Sequence, residues 1–257
     1  MPDFQYFLLT RINVDGWFNR PRTKEERNTK DFLDHRFSIF EKTCYPSVQS
    51  QTKTNFIWLV LCDDMLPEAY RQRLETYNSI VKIIPIYITS KDTLLETVYQ
   101  VIISNFTNTT KYLITTNLDS DDIIAKNFIA TVLQKFNQQS FEFINFPFGY
   151  LYNLNTRVLF LREWHTASCH TLIEKIQKNN KFDTALKYSH IDINKYNLRQ
   201  VIMKPMWLMT VHGKNDRTAF DVNAAWQPIF RLEERFMDNI DYPQMSFCMI
   251  LRGCLLQ

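Results

Sequence analysis

Hydrophobic positions along the chain alternate between two rhythms. Phe4 to Thr10 (FQYFLLT) is a continuous apolar run of strand length, the kind buried on both faces. Residues 29–43 then place Phe32, Leu33, Phe37 and Phe40 near a three-to-four spacing, which predicts a helix ended by Tyr45-Pro46-Ser47. Phe56 to Cys62 (FIWLVLC) is a second buried-type strand, closed by Asp63-Asp64. Leu66 to Tyr77 predicts a helix with Pro67 in its first turn. Val81 to Ile88 is a third strand; Pro85 inside it has no N–H to give a neighbour, so this strand belongs at a sheet edge. Ser90 caps a helix whose apolar face is Leu94, Leu95, Val98, Val101 and Ile102. Lys111 to Thr116 is a fourth strand, and Ala125 to Asn137 an amphipathic helix.

Strand and helix thus alternate four times, which predicts an α/β fold with a mostly parallel central sheet flanked by helices. Strands one, two and four each stop at polar or charged residues. One sheet edge therefore collects the reactive groups, at the end where open α/β sheets bind ligands. The second half changes character and predicts a second, small β element. Phe141 to Phe148 and Thr156 to Leu161 read as strands of a hairpin around Gly149 to Asn153, Ser168 to Lys178 as a helix, and Val201 to Val211 as a last strand broken near Pro205. From Ala219 the chain is aromatic and charged by turns (Phe220, Trp226, Phe230, Arg231, Arg235, Phe236) and predicts no element.

Composition narrows the function. With 45% hydrophobic and 22% charged residues, the 257-residue chain can build a sizeable core. A net charge of +3 without a basic run argues against a nucleic-acid partner. Five scattered cysteines without a C-x-x-C fit free thiols in a reducing compartment. No leader-like or membrane-spanning apolar run is seen, so the expected location is cytoplasmic, with peripheral membrane contact left open. The four glycines, at 16, 149, 213 and 253, cannot write a G-x-G-x-x-G or a Walker loop. A bound nucleotide would need a metal and side chains on its phosphates.

The fourth strand runs into Leu118-Asp119-Ser120-Asp121-Asp122. Carboxylates this close repel one another unless a cation or hydrogen-bond donors compensate. On an extended chain Asp119 and Asp121 point the same way, and such a pair suits one Mg²⁺ or Mn²⁺ shared with a diphosphate. The competing reading is a polar turn in which Asp122 caps the next helix. Arg11, at the end of the first strand, is placed to meet a phosphate or else lies on the surface. His212 ends the last strand beside Gly213; it is a turn residue or, as neutral imidazole, a metal ligand. Trp164 and Trp207 offer flat faces for a sugar, with core packing the competing fate of Trp207.

Pro46-Ser47-Val48-Gln49-Ser50-Gln51-Thr52, then Asn55 to Asp64, resembles the opening of nucleotide-sugar glycosyltransferases with the A-type fold. Leu118 to Asp122 resembles their metal-binding D-x-D. Thr10-Arg11-Ile12-Asn13, together with Trp207 to Asn215 (WLMTVHGKN), is similar to the rhamnosyltransferase group among them. The resemblance touches roughly residues 6–215. It implies a single hexosyltransferase-type domain: a nucleotide-binding half to about 122, an acceptor half over 123–215 and an extension over 216–257. It implies a dTDP- or UDP-sugar donor held through Thr10, Arg11, Asp63 and Asp119, with Asp63 at the nucleoside. Asp119, Asp121, Asp122 and His212 would bind Mn²⁺ or Mg²⁺, and a glycan or lipid-linked molecule would be the acceptor. Asn117 departs from the pattern, since relatives often carry arginine just before the D-x-D.

Inverting transfer also needs a base for the acceptor's proton. Glu163, His165, Asp183, His190 and Asp192 are the candidates between the fifth strand and His212, and Glu163, directly after an apolar strand, is favoured over Asp183 and Asp192. The alternatives are a metal-dependent nucleotidyltransferase, for which the glycine-poor segment 10–22 is unsuited, and an inactive carbohydrate-binding relative.

Overall fold

The computed structural model describes residues 3–14, 22–77, 80–215, 227–228 and 232–236. The sequence features at Phe220, Trp226, Phe230 and Arg231 lie outside the described residues. In chain order the elements are β1 (Phe4–Arg11), α1 (Lys24–Arg27), α2 (Lys30–Lys42), α3 (Cys44–Gln49), β2 (Ile57–Asp63), α4 (Glu68–Glu75), β3 (Lys82–Ile88), α5 (Lys91–Ser104), β4 (Tyr112–Asn117), β5 (Ile123–Ile124), α6 (Phe128–Lys135), β6 (Phe141–Asn145), β7 (Phe148–Asn153), β8 (Leu159–Glu163), β9 (Thr171–Lys175), β10 (Leu198–Gln200), β11 (Trp207–Val211) and β12 (Gln227–Pro228).

Two sheets result. The larger has the order β10-β6-β9-β4-β1-β2-β3 and is parallel except at β9, which opposes both β4 and β6. The smaller has the order β12-β8-β7-β11-β5. This is the mostly parallel sheet flanked by helices, with a second β element, that the sequence predicts. β3 is the edge strand, as Pro85 requires; it faces Val60 of β2. The central strands β1, β2 and β4 are nearly all buried, as their unbroken apolar runs demand. Among the described residues no helix is long and apolar enough to cross a membrane.

Three expectations are corrected. Pro46 does not stop the chain's helical path: α2 ends at Lys42, and Pro46 lies in the first turn of α3, where a missing N–H costs nothing. Ser168 to Lys178 is no helix but contains β9, whose residues Thr171 to Glu174 are buried between two strands. Gly149 to Asn153 is not a turn but most of β7, paired with β8 on one side and β11 on the other. Trp207 explains the glycine: a Cβ at Gly149 would lie 2.0 Å from the indole Cδ2. Trp207 is therefore a core residue, its indole N–H donating to the Phe146 carbonyl at 2.7 Å.

Gln51 and Thr52 of the Q-T pair are structural staples. The Gln51 amide donates to the Ser47 and Ala125 carbonyls at 3.0 and 2.9 Å and accepts the Ile129 N–H at 3.1 Å. The Thr52 N–H donates to the Lys126 carbonyl at 2.9 Å. Together they tie α3 to the segment between β5 and α6, just beyond the acidic turn.

Candidate active site

The sheet order reverses between β1 and β4. From β1 the chain moves outward to β2 and β3, then returns to lay β4 on the other side. Connections leaving in opposite directions open a crevice at the C-terminal ends of those two strands. Arg11 closes β1 there, and its Nη2 reaches Asp119 Oδ1, just past β4, at 3.4 Å. A cavity of about 390 Å³ opens at this point, lined by Arg11, Arg36, Asp119, Asp121 and Asn215 and, from the segment after β8, by Trp164, Tyr188 and His190.

The acidic stretch is a turn, not an extended strand end. The Asp122 N–H donates to the Asp119 carbonyl at 3.1 Å, so strand alternation does not apply and the three side chains diverge. Asp119 keeps to Arg11. Asp121 Oδ2 meets His212 Nε2 at 3.1 Å, Asn215 Nδ2 at 3.3 Å and Arg36 Nη1 at 3.6 Å. Asp122 points inward, where its carboxyl accepts from the Ser168 hydroxyl at 3.2 Å and the Thr210 N–H at 3.4 Å. It does not cap α6, which begins after Asn127 without a side-chain cap.

The environments pull two neighbouring carboxyls apart. Burial pushes Asp122 well up, and the charges of Asp121 and Asp119 add to it. Burial alone would also raise Asp121, but the hydrogen bond from His212 and the Arg36 charge outweigh it and hold Asp121 below the usual carboxylate range.

His212 is positioned by the motif around it. Gly213 takes a φ of +77°, a conformation that favours glycine, and turns the chain back so that Asn215 returns to the strand end. Asn215 Oδ1 accepts the His212 N–H at 2.7 Å, and its Nδ2 donates to the Thr210 carbonyl at 2.8 Å as well as facing Asp121. The other ring nitrogen of His212, Nδ1, lies 3.2 Å from His35 Nε2. Burial, then the nearby His212, pushes His35 down, so it is a neutral partner that can donate or accept.

Other predicted residues fall elsewhere. Thr10 is a correction: it is wholly buried, its hydroxyl accepts from the Trp58 indole at 3.0 Å, and it does not line the cavity. Asp63 sits at the end of β2, also buried, with Arg27 Nη2 at 3.2 Å and Lys24 Nζ at 3.7 Å. Glu163, Asp183 and Asp192 are not cavity residues. Glu163 ends β8 in the smaller sheet, exposed beside His165 at 3.3 Å. Asp183 accepts from Lys187 at 2.7 Å and the Tyr188 hydroxyl at 2.5 Å, and Asp192 pairs with Lys195 at 2.6 Å. Sequence reasoning missed His35 and Arg36. Arg36 falls three after Leu33 and four before Phe40, on the apolar stripe of α2, and a charge on such a stripe is the signal that could have found it.

The family described as "Putative rhamnosyl transferase" matches residues 20–224. The chain belongs to that family. It is a family of glycosyltransferase type, in line with the resemblance carried by D-S-D-D and by the strand ending in His212. No curated protein matches the chain. Among solved structures this family member is similar to S. aureus TarS 1–349 in complex with UDP-GlcNAc, with TM-score 0.45 and 11% identity over 82% of this chain and 60% of that one. HddC from Yersinia pseudotuberculosis gives TM-score 0.39 and 8% identity over 80% and 93%. The inositol-1-phosphate CTP transferase from T. maritima gives 0.37 and 7% over 81% and 89%. The chain thus spans about 60% of the length of that TarS structure.

Proposed function

We propose that the cavity between β1 and β4 binds a nucleoside diphosphate sugar with Mn²⁺ or Mg²⁺ and transfers the sugar, rhamnose by the family's description, to a glycan or lipid-linked acceptor. The observation that carries this reading is the meeting of Arg11, Arg36, Asp119 and Asp121 around one cavity at the reversal of strand order, with His212 Nε2 3.1 Å from Asp121.

Among the described residues, no three of His, Cys, Asp and Glu already stand as a metal cage. Two residues nonetheless fit as adjacent ligands. Neighbouring oxygen and nitrogen ligands on an octahedral ion with bonds of about 2.1 Å lie about 3.0 Å apart, and Asp121 Oδ2 and His212 Nε2 are 3.1 Å apart. A ligating His212 would donate Nδ1–H to His35, the kind of partner that fixes a metal-binding imidazole. Asp122, buried and turned to Ser168 and Thr210, would support the turn from behind, and Asp119 would stand at the cavity wall. The remaining metal positions would fall to the donor diphosphate, as is usual for Mg²⁺. When bound, the ion would supply Lewis-acid stabilisation of the departing diphosphate.

The chain's own groups account for the rest. Arg11 and Arg36 carry positive charge to the phosphates. Asp63, held by Arg27 and Lys24, lies at the end of the neighbouring strand, where the nucleoside is assigned. Residues up to about 122 supply the donor side, and Trp164 and Tyr188, from the 123–215 half, the acceptor side.

Calorimetric titration with UDP, GDP and dTDP, with and without Mn²⁺, tests the reading. Metal-dependent binding of one of them is the expected result. No binding of any, with or without metal, overturns it.

A further inference from the structure

A base must stand inside the cavity, and neither Glu163, Asp183 nor Asp192 does. His190 does. Its Nδ1 lies 2.7 Å from the Thr166 carbonyl, which can only accept, so Nδ1 carries the proton and Nε2 is left as a bare lone pair. Nε2 has no partner among the described residues, and it is not sealed in the core, since it is absent from the buried, unpartnered polar atoms. The ring is held edge-on to Trp164, with centroids 5.2 Å apart and planes at 89°. Trp164 lies under the Arg162 guanidinium at 5.7 Å, so the surface that fixes the imidazole is itself fixed. A backbone carbonyl locks the tautomer, an aromatic edge locks the ring, and the free nitrogen shares a cavity with Asp121.

We infer that His190 is the catalytic base that accepts the acceptor's hydroxyl proton on Nε2, a role that rests on the transferase reading above. The acceptor oxygen forms a bond to the anomeric carbon. The bond from that carbon to the diphosphate oxygen breaks, and its electron pair leaves with the nucleoside diphosphate. The hydroxyl proton goes to Nε2, giving an imidazolium whose Nδ1–H still donates to Thr166. Inversion at the anomeric carbon follows, because base and leaving group act on opposite faces. Around the acceptor position Trp164 and Tyr188 offer rings to a sugar face, and the exposed Ile191 continues that surface outward. His170 also lines the cavity; burial keeps it neutral, so it does not compete for the proton.

The test compares wild type, His190→Gln and His190→Ala using dTDP-rhamnose with Mn²⁺, water serving as acceptor where no sugar acceptor is supplied. Expected are a fall in kcat of about 100-fold or more in both variants, nucleotide affinity and melting temperature within error of wild type, partial recovery of His190→Ala by added imidazole, and an inverted product anomer by NMR. Turnover within threefold of wild type, a retained anomer, or loss confined to KM overturns the assignment of His190 while leaving the transferase reading in place. Failure of wild type to bind dTDP or UDP with Mn²⁺ in the parallel calorimetry overturns both.

Discussion

Gly149→Ala is a single methyl group whose effect can be worked from distances. The added Cβ would lie 2.0 Å from Cδ2 and 2.2 Å from Cε2 and Cε3 of Trp207. Carbon atoms rest at about 3.5–4.0 Å, so the indole has to retreat by roughly 1.5 Å. It has no room to do so. Trp207 is 1% exposed, and its indole N–H is spent on the Phe146 carbonyl. Overpacking of this kind costs about 1–3 kcal/mol, and loss of the buried hydrogen bond adds about 1–3 kcal/mol. A total of about 2–6 kcal/mol lowers Tm by on the order of 10 °C for a chain of this size. The consequence reaches the site, because Trp207 opens β11 and the same strand delivers Thr210 and His212 to the acidic turn. Differential scanning calorimetry measures the first effect and metal-dependent nucleotide binding the second. Replacing Trp207 by Leu in the same background should remove much of the penalty of the alanine, since the two residues share one contact. A Tm within 2 °C of wild type, or strictly additive effects in the double variant, refutes the packing argument.

Three further perturbations separate stability from chemistry. Gln51→Ala strips partners from two carbonyls and one N–H in a buried position, and should cost about 2–4 kcal/mol in urea denaturation with nucleotide affinity unchanged in the protein that remains folded; a loss under 1 kcal/mol would return Gln51 to a passive role. Asp121→Asn keeps the side chain's shape but removes the charge opposite Arg36, so Mn²⁺-dependent nucleotide binding should be lost; metal dependence equal to wild type would exclude Asp121 as a ligand. Burial pushes the Glu174 carboxyl up to about 8 from an ordinary 4.5, so between those values the folded chain holds a proton that the unfolded chain has released, and stability falls as pH rises. His170, pushed by burial from 6.5 down to about 4, contributes the opposite slope over that lower window, so the net fall is concentrated between pH 6.5 and 8 and amounts to about 2 kcal/mol. Glu174→Gln should flatten this limb in denaturation profiles, and an equal drop in the variant would refute the assignment to Glu174.

The first half of the fold was legible because each of its elements is specified locally. Apolar runs buried on both faces can be little else than parallel strands, and Ser90, Pro67 and Pro85 mark a cap, a helix start and a sheet edge by chemistry that acts within one or two residues. β9 failed for the opposite reason. Cys169, Leu172, Ile173 and Ile176 recur at helical spacing, and nothing nearby contradicts it. What decides is distant: Thr171 and Ile173 pair with Thr116 and Ile114 of β4, and the other edge is taken by β6. Glu174 and His170 are buried in the same segment, on positions that a surface helix would have turned to water. Gly149 misled for a related reason, since a glycine that reads as a turn is there to admit a ring from a strand 58 positions on. In the site, the order of motifs pointed to Asp121 and His212, and the structure brings these two within 3.1 Å of each other. Glu163, favoured for following a strand, ends β8 exposed beside His165 and does not line the cavity, although the next residue, Trp164, does.

The charge balance of the acidic turn ties these observations together. Three carboxylates in four residues need compensation, and the protein supplies it from within: Arg11 for Asp119, and Arg36, His212 and Asn215 for Asp121, while Asp122 is pushed toward its neutral form. A divalent ion entering alone would have to compete with Arg36 for Asp121. A nucleoside diphosphate entering alone would have to draw Arg11 and Arg36 away from carboxylates left unpaired. Entering together, the phosphates take the arginines and the ion takes the carboxylate, so each binding event removes the cost of the other. Under the proposed function metal and nucleotide therefore bind with strong positive coupling, and equal affinity for Mn²⁺ with and without nucleotide would contradict this exchange of partners.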